Sequence, residues 1–252
     1  MKKSPFMMVL ILCFPLFASA APADGAPGEP TDHARVSGLD TEGEEESALP
    51  AEGVSDPLEP LNRLFFRFND LFYFGLLQPV ATVYAAIAPE PLRVGVKNVF
   101  HNLATPTYVT SALLQGKVAQ SGVELGRFGI NTTLGLLGFI DVAKEYGMEG
   151  VHDDLGVALG HYGAGDTLYL VWPILGPSNL RDSIGLVGET LLNPLTYVPK
   201  ETLYRAGLTA YRITNTASLH LGEYENLTKS AIDPYVALRD GYLQRRRISI
   251  KE

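Results

Sequence analysis

From Asp56 onward the apolar positions recur with helical spacing, and proline and glycine cut the pattern into helix-length pieces. Asp56-Pro57, Thr105-Pro106 and Asp233-Pro234 each place a capping side chain before proline, the order expected at a helix start. Pro91 and Pro199 lie near further starts, and Ser178 is placed to cap a helix running to about Leu192. Strand-type alternation is scarce: Thr167–Leu175 is ambiguous, and Pro173 argues against a central strand there. The pattern predicts an all-α domain over residues 56–252, with about seven to nine helices, several interrupted, and no tandem repeat.

The first helix is the most informative. At about 100° per residue, Leu58, Leu61, Leu64, Phe65, Phe68, Leu71 and Phe72 share one arc, which an ordinary amphipathic helix buries. Glu59, Asn62, Arg63, Arg67, Asn69 and Asp70 fill the opposite arc, but Phe66, Tyr73 and Phe74 intrude into it. Five of the eleven phenylalanines fall between Phe65 and Phe74, more than a one-sided core requires. Either a second protein layer covers these rings, or Phe66, Tyr73 and Phe74 meet lipid or another membrane protein. At about 1.5–3 kcal/mol per buried ring, three of them hold a helix at an interface. On this reading a charge at Phe66 or Phe74 weakens membrane association more than one at Leu64.

Leu71–Pro89 then runs 19 residues without a charge, the length of a bilayer span, interrupted by Gly75, Gln78, Pro79 and Thr82. An uninterrupted span tends to be retained in the inner membrane during export, whereas a broken one passes and associates later. The polar groups of broken helices then have to face protein or a water-filled cavity. Gly122-x-x-x-Gly126 and Gly156-x-x-x-Gly160 have the spacing that lets helices approach closely in lipid, a spacing that also arises by chance in glycine-rich chains. Thr132–Ile140 reads as a mobile, glycine-punctuated hairpin joining two helices, which Gly138→Pro is expected to stiffen with little loss of stability.

The N-terminus changes the picture by adding export. Lys2 and Lys3, the apolar run Met7–Phe17 and Ala18-Ser19-Ala20 have the order of a cleavable signal peptide, residues 1–20. The single cysteine, Cys13, follows Leu12 rather than a small residue, so no lipidation site is expected. The mature chain then has no cysteine for a disulfide, a thiolate nucleophile or a metal. Residues 21–55 are rich in Pro, Gly and Ala, with nine acids against Arg35 alone, and are expected to be a disordered acidic linker. That segment accounts for the formal net charge of −8. The remainder is nearly neutral, and nothing points to a nucleic-acid partner.

Catalytic signatures are missing. His152-Asp153-Asp154 with His161 invites a metal reading, but Asp153 before a helical pattern reads better as an N-cap. No Gly-x-Ser-x-Gly is present, and the acids are scattered, none insulated in an apolar stretch. No catalytic residue, metal or cofactor is expected.

Asp56-Pro57-Leu58-Glu59-Pro60-Leu61-Asn62-Arg63 with Phe68-Asn69-Asp70 resembles the opening motif of the MlaA (VacJ) family. The resemblance continues through Pro89-Glu90-Pro91-Leu92-Arg93, Leu114-Gln115-Gly116-Lys117, Gly126-Arg127-Phe128 and Asn131-Thr132-Thr133-Leu134-Gly135. It extends to Leu175-Gly176-Pro177-Ser178, Leu180-Arg181-Asp182, Asp233-Pro234-Tyr235, Arg239-Asp240 and the Tyr242–Arg246 stretch, covering nearly all of the chain from Asp56. It implies a ring-shaped bundle of interrupted amphipathic helices in the bacterial outer membrane, around an amphipathic channel. Such a ring removes phospholipids misplaced in the outer leaflet and passes them to a soluble periplasmic carrier. The carrier feeds an inner-membrane ABC transporter, and trimeric porins hold the ring. Many family members are lipoproteins, which this chain does not match at Cys13.

The chemistry of that task is physical. A diacyl lipid leaving a bilayer exposes some thirty methylenes at about 0.8 kcal/mol each, on the order of 24 kcal/mol, so the protein must cover the chains and give the head group a polar path. By resemblance the segment Leu134, Gly135, Leu136, Leu137, Gly138, Phe139 and Ile140 borders the channel, as its gate or as a plain connection. Arg239, Arg245, Arg246 and Arg247 either dock an acidic carrier or meet lipid phosphates, or else they only complement a helix C-terminus. Competing functions are a phospholipase-like lipid-modifying enzyme and a structural or adhesion protein.

Overall fold

The computed structural model describes residues 56–166, 168–197 and 201–251. The expected signal peptide with Cys13, the linker over 21–55 and Pro199 lie outside the described residues.

The chain opens with α1 (Glu59–Phe72), which continues through a π-helical turn (Tyr73–Leu77) into α2 (Gln78–Ile87). Together these form one rod, Glu59–Ile87, of 29 residues, long and apolar enough to cross a membrane, with almost none of its apolar stretch buried. Next come α3 (Glu90–Leu103), α4 (Thr105–Leu114), α5 (Val118–Thr133), the single turn α6 (Val142–Glu145) and α7 (Leu155–His161). Strands β1 (Tyr169–Trp172) and β2 (Gly176–Asn179) form an antiparallel pair, with Tyr169 opposite Asn179 and Trp172 opposite Gly176. The chain ends with α8 (Leu180–Leu192), a 3-10 turn (Pro194–Thr196), α9 (Thr202–Leu219), α10 (Glu223–Ser230) and α11 (Pro234–Lys251).

Helices begin near all three proline starts, but only Asp233 caps as expected: α1 has Leu58 and α4 has Ala104 in the cap position, neither with a side-chain bond. Thr105 opens α4, and the Asp233 carboxylate accepts from the amides of Tyr235 and Val236 at the head of α11. Two caps fall one residue later than the sequence suggested: Asn179 rather than Ser178 caps α8, and Asp154 rather than Asp153 caps α7. The β-hairpin is an addition to the all-α expectation. Pro173 does not oppose it, because Pro173 lies in the turn, and Pro177 is tolerated because a two-stranded sheet leaves each strand an unpaired edge.

α1 is turned over relative to the expectation. Much of the arc assigned to the core faces outward, with Leu64 60% and Leu71 73% exposed and Leu61 and Phe68 beside them, whereas Leu58, Phe65 and Phe72 are half-buried and Phe65 packs on the core. The polar arc holds the molecule together. Asn62 is buried and donates to Asp56 Oδ1 (2.9 Å) and the Tyr169 carbonyl (3.0 Å), while its Oδ1 accepts from the Val171 amide (2.9 Å). Asn69 bridges the strand turn, donating to the Trp172 carbonyl and accepting from the Ile174 amide. Arg63 makes a bidentate pair with Asp233 (2.8 and 3.2 Å) and lies over the Tyr235 ring. Buried polar residues outnumber buried apolar ones among the described residues. Such a molecule is built for an apolar surrounding: hydrocarbon satisfies the leucines, and only internal partners satisfy the amides. Asn62→Ala is therefore expected to lower stability by about 2–3 kcal/mol, by orphaning buried groups. Leu64→Ala should stay within about 0.5 kcal/mol. Thermal unfolding in detergent micelles compares the two.

Packing neighbours follow one another in a closed circuit: α1 against β1, β2 against α8, α8 against α7, then α4, α3, α9, α2 and back to α1 through the π turn. The first and last helices are clasped together, Phe66 edge-on to Tyr235 and the Tyr235 hydroxyl donating to Asp56. Of the two glycine pairs, Gly156 and Gly160 mark a close crossing. A methyl at Gly185 of α8 would strike the backbone of Gly156, and one at Gly160 would strike Ile250. Gly122 has open space around it.

Candidate functional site

After α5 the chain reverses over residues 134–140. Leu136, Leu137 and Gly138 take successive left-handed conformations, at φ 53°, 62° and 92°. That is uncommon for leucine and is imposed here by three backbone bonds: the Leu137 amide to the Thr132 carbonyl, Gly138 to Asn131 and Ile140 to Gly135. Gly138→Pro, expected from the sequence to be mild, is incompatible with this turn, because proline fixes φ near about −65°. The hairpin is latched to α3. Asn102 donates to Thr132 Oγ1 (2.9 Å) and to the Leu137 carbonyl (3.3 Å), and Asn98 donates to the Phe139 carbonyl (3.4 Å). The Phe139 ring lies against Gly95, where any side chain would collide with it, and Gly138 presses equally closely on Asn102. Leu134, Leu136, Leu137 and Ile140 remain exposed, whereas Gly135 and Gly138 are buried.

Beneath Gly138 lies a cavity of about 560 Å³, bounded by polar side chains of α3, α4 and α5 and by the loops around Asp141 and His152. Arg127 pairs with Asp141 (2.8 Å), which also accepts from Asn131 (2.8 Å). Burial pushes Asp141 up, but the hydrogen bonds from Asn131 and Arg127 outweigh it and hold the carboxyl below the usual range. Burial pushes Glu124 up and brings His152 down to about 4, the latter aided by the Arg127 charge, so His152 is neutral at neutral pH. The wall is thus largely polar, with Arg127 and Asp141 paired across it. Among the described residues no group of His, Cys, Asp or Glu has the arrangement to hold a metal ion.

The three aromatics singled out in the sequence do not act together. Phe66 is half-buried against Tyr235, and Tyr73 packs on Tyr224 (4.6 Å between centroids) beside Phe74, which is exposed. The outward surface is instead the apolar arc of α1 and α2, joined by Leu180, Ile184, Val187 and Leu191 along α8. The four arginines also part company. Arg246 is engaged inside the fold with Asp154 (2.6 Å) and Asp182 (2.7 Å), Arg239 pairs with Asp240, and Arg247 pairs with Asp166. Arg245 is exposed, and no ion pair to it is found among the described residues.

A helical fold with a long exposed apolar rod and a buried network of polar side chains defines the class. The profile of the family described as MlaA lipoprotein matches residues 54–249, and the chain belongs to that family. Among its relatives, the Escherichia coli (strain K12) intermembrane phospholipid transport system lipoprotein MlaA is 34% identical over 209 residues, covering 79% of this chain and 80% of that one. A Rickettsia felis protein is 33% identical over 199 residues, covering 79% of each chain. A solved structure, from work on the structural basis for maintenance of bacterial outer membrane lipid asymmetry, superposes with a TM-score of 0.69 at 32% identity, covering 78% of this chain and 99% of that one.

Proposed function

We propose that this protein is the outer-membrane component of an intermembrane phospholipid transport system. It takes phospholipids misplaced in the outer leaflet and passes them to a soluble periplasmic carrier that feeds an inner-membrane ABC transporter, with a trimeric porin holding it in place. The inverted α1 carries the reading: outward leucines and an inward network of asparagines suit a protein seated in hydrocarbon around a polar interior. The closed circuit of packing contacts supports a ring, and the relatives' role in phospholipid transport agrees with it. No covalent step is required, and the chain is a transport component rather than an enzyme. Although its relatives are named lipoproteins, this chain has no small residue before Cys13, and its outward apolar surface supplies the attachment.

Residues 134–140 gate the polar cavity, Arg245 with Arg247 offers the exposed basic surface for an acidic carrier, and Phe74 is the ring best placed to meet lipid or porin. A deletion strain is expected to accumulate outer-leaflet phospholipid, and the intact gene to reverse it. Unchanged leaflet composition would favour a structural or adhesion role. Incubation with labelled phospholipid should yield intact lipid on the carrier, and released fatty acid or lysolipid would overturn the transport reading.

The gate has its own test. Asn102→Ala removes two bonds that latch the hairpin, at about 1–2 kcal/mol of stability. It is expected to change lipid transfer to the carrier severalfold. Transfer at the native rate would make residues 134–140 a plain connection.

A further inference from the structure

The C-terminal half of α11 has one face that the fold leaves largely unanswered. At about 100° per residue, Gly241, Gln244, Arg245, Arg247, Ile248 and Lys251 share an arc of about 160°, and all six are exposed. The opposite side is spent on the fold: Leu243 is buried, and Arg246 and the Tyr242 hydroxyl bind Asp182. The outward arc carries three cations, and residues 241–251 contain no acid. Arg245 and Lys251 have no ion pair among the described residues, and Arg247 shares Asp166 (2.7 Å) with Arg181 (3.5 Å). The free carbonyls at the helix end answer only about half a unit of charge. Clustered cations with so little opposing them attract a polyanion.

Such a polyanion lies in the same chain. Asp40, Glu42, Glu44, Glu45 and Glu46 place five acids within seven residues, and no cation occurs between Arg35 and Arg63. Position fits as well as charge. The Tyr235 hydroxyl donates to Asp56, so the chain enters α1 beside the start of α11. From Tyr235 it is about 15 Å along the helix axis to Arg245 and about 24 Å to Lys251. The acids lie ten to sixteen residues before Asp56, and that length of chain spans about 16–24 Å at coil dimensions. A tether whose reach matches the span holds its end at a local concentration in the millimolar range, whereas a separate acidic protein arrives at its free concentration. A membrane is the poorer match. Ile248 is the single large apolar side chain of this arc, while the broad apolar surface lies on the rod and on α8.

We propose that the acidic run over residues 40–46 docks on the face of α11 formed by Arg245, Arg247 and Lys251. The contact itself needs no assumption about transport. Its consequence rests on the reading above, in which Arg245 and Arg247 receive an acidic carrier. The carrier then has to displace the run, which weakens the carrier's binding and makes it steeply dependent on salt.

The test uses the full chain purified from membranes in maltoside, with spin labels at Ser47→Cys and Gln244→Cys. A second chain carries the same labels with the run neutralised (Asp40→Asn, Glu42→Gln, Glu44→Gln, Glu45→Gln and Glu46→Gln). At about 0.05 M salt the native acids are expected to give a shorter and narrower distance distribution than the amides. At about 1 M salt, where the screening length is about 3 Å, the two should coincide. Arg245→Gln with Lys251→Gln should lengthen the native distance, and circular dichroism checks that both chains are folded. A fluorescent hexaglutamate peptide reads the free face: neutralising the run is expected to tighten its binding about threefold or more, and Arg245→Gln with Lys251→Gln to weaken it. Equal distances in the native and neutralised chains at low salt overturn the proposal, as does a peptide affinity that ignores the amides. A native distance that is short in detergent but lengthens to the amide value in phosphatidylglycerol nanodiscs gives the face to a lipid surface and also overturns it. A carrier weakened by Arg245→Gln but indifferent to neutralisation leaves the docking reading standing and overturns the competition. A carrier indifferent to Arg245→Gln, with the short distance still present, removes the docking reading and upholds the contact within the chain.

Discussion

Arginine at both Leu71 and Leu76 is expected to release the protein from membranes while leaving it folded in detergent. Both side chains are exposed near the middle of the rod Glu59–Ile87, and neither holds another part of the chain. A central arginine costs about 2.5–3.5 kcal/mol on insertion scales, so the pair costs on the order of 5–7 kcal/mol and lowers membrane partitioning more than about a thousandfold. Flotation of membranes with the variant left in the soluble fraction, and unchanged circular dichroism in micelles, is the predicted pair of results. Phe66→Arg is expected to do the reverse, because its ring is wedged against Tyr235. That variant unfolds in detergent rather than losing its affinity for lipid. The order is opposite to the one helical periodicity suggested, and equal behaviour of Leu71 and Phe66 variants would refute the inverted orientation of α1.

Arg246→Met is the second large effect, expected to cost about 3–5 kcal/mol. The guanidinium is enclosed between α7, α8 and α11, bridging Asp154 and Asp182, and Arg181 and the Tyr242 hydroxyl also bind Asp182. Burial pushes Asp182 up, but Arg181, then the charge and hydrogen bond of Arg246, then Tyr242 outweigh it and hold the carboxyl below its ordinary range. A carboxyl depressed in the folded state stabilises above its unfolded pKa and loses that contribution as pH falls through the folded value. Without Arg246 the depression shrinks, so the acid unfolding transition moves to higher pH as well as losing height. Urea titrations of the native chain and Arg246→Met between about pH 3 and pH 7 read both changes. An unaltered acid limb would mean that Arg181 alone holds Asp182.

Much of the fold was legible because proline and capping residues act locally. Thr105-Pro106 and Asp233-Pro234 begin helices for reasons contained in two or three residues. The same locality produced the hairpin after Thr133, and it missed the caps of α7 and α8 by only one residue. What failed is what depends on distant partners. Periodicity identified the two faces of α1 but not which one turns inward, because that sign belongs to the surrounding solvent and not to the helix. Asn62 and Asn69 were the available clue, two amides on a face with nearby charges, but their partners lie more than a hundred residues away. The β-hairpin was discounted through Pro173, although a proline between strands is a turn residue.

Site residues divide along the same line. The 134–140 segment was visible as a glycine-punctuated apolar stretch, whereas its latch on Asn98, Asn102 and Gly95 was not. Arg246 looked like one of four surface charges, and only the packing of α11 against α7 separates it from Arg245.

The clasp between α1 and α11 also sets an order in time. Asn62 waits for residues 169 and 171, and Arg63 and Asp56 wait for residues 233 and 235, the latter contact spanning 179 positions. A chain threaded outward from its N-terminus therefore delivers the greasy rod first and the groups that complete it last. For that interval the rod has hydrocarbon-seeking leucines on one side and unanswered amides on the other, fit neither for water nor for a bilayer. On the proposed route to the outer membrane the rod is therefore expected to need escort, and closure of the clasp by the last helix is the step that completes its polar partners.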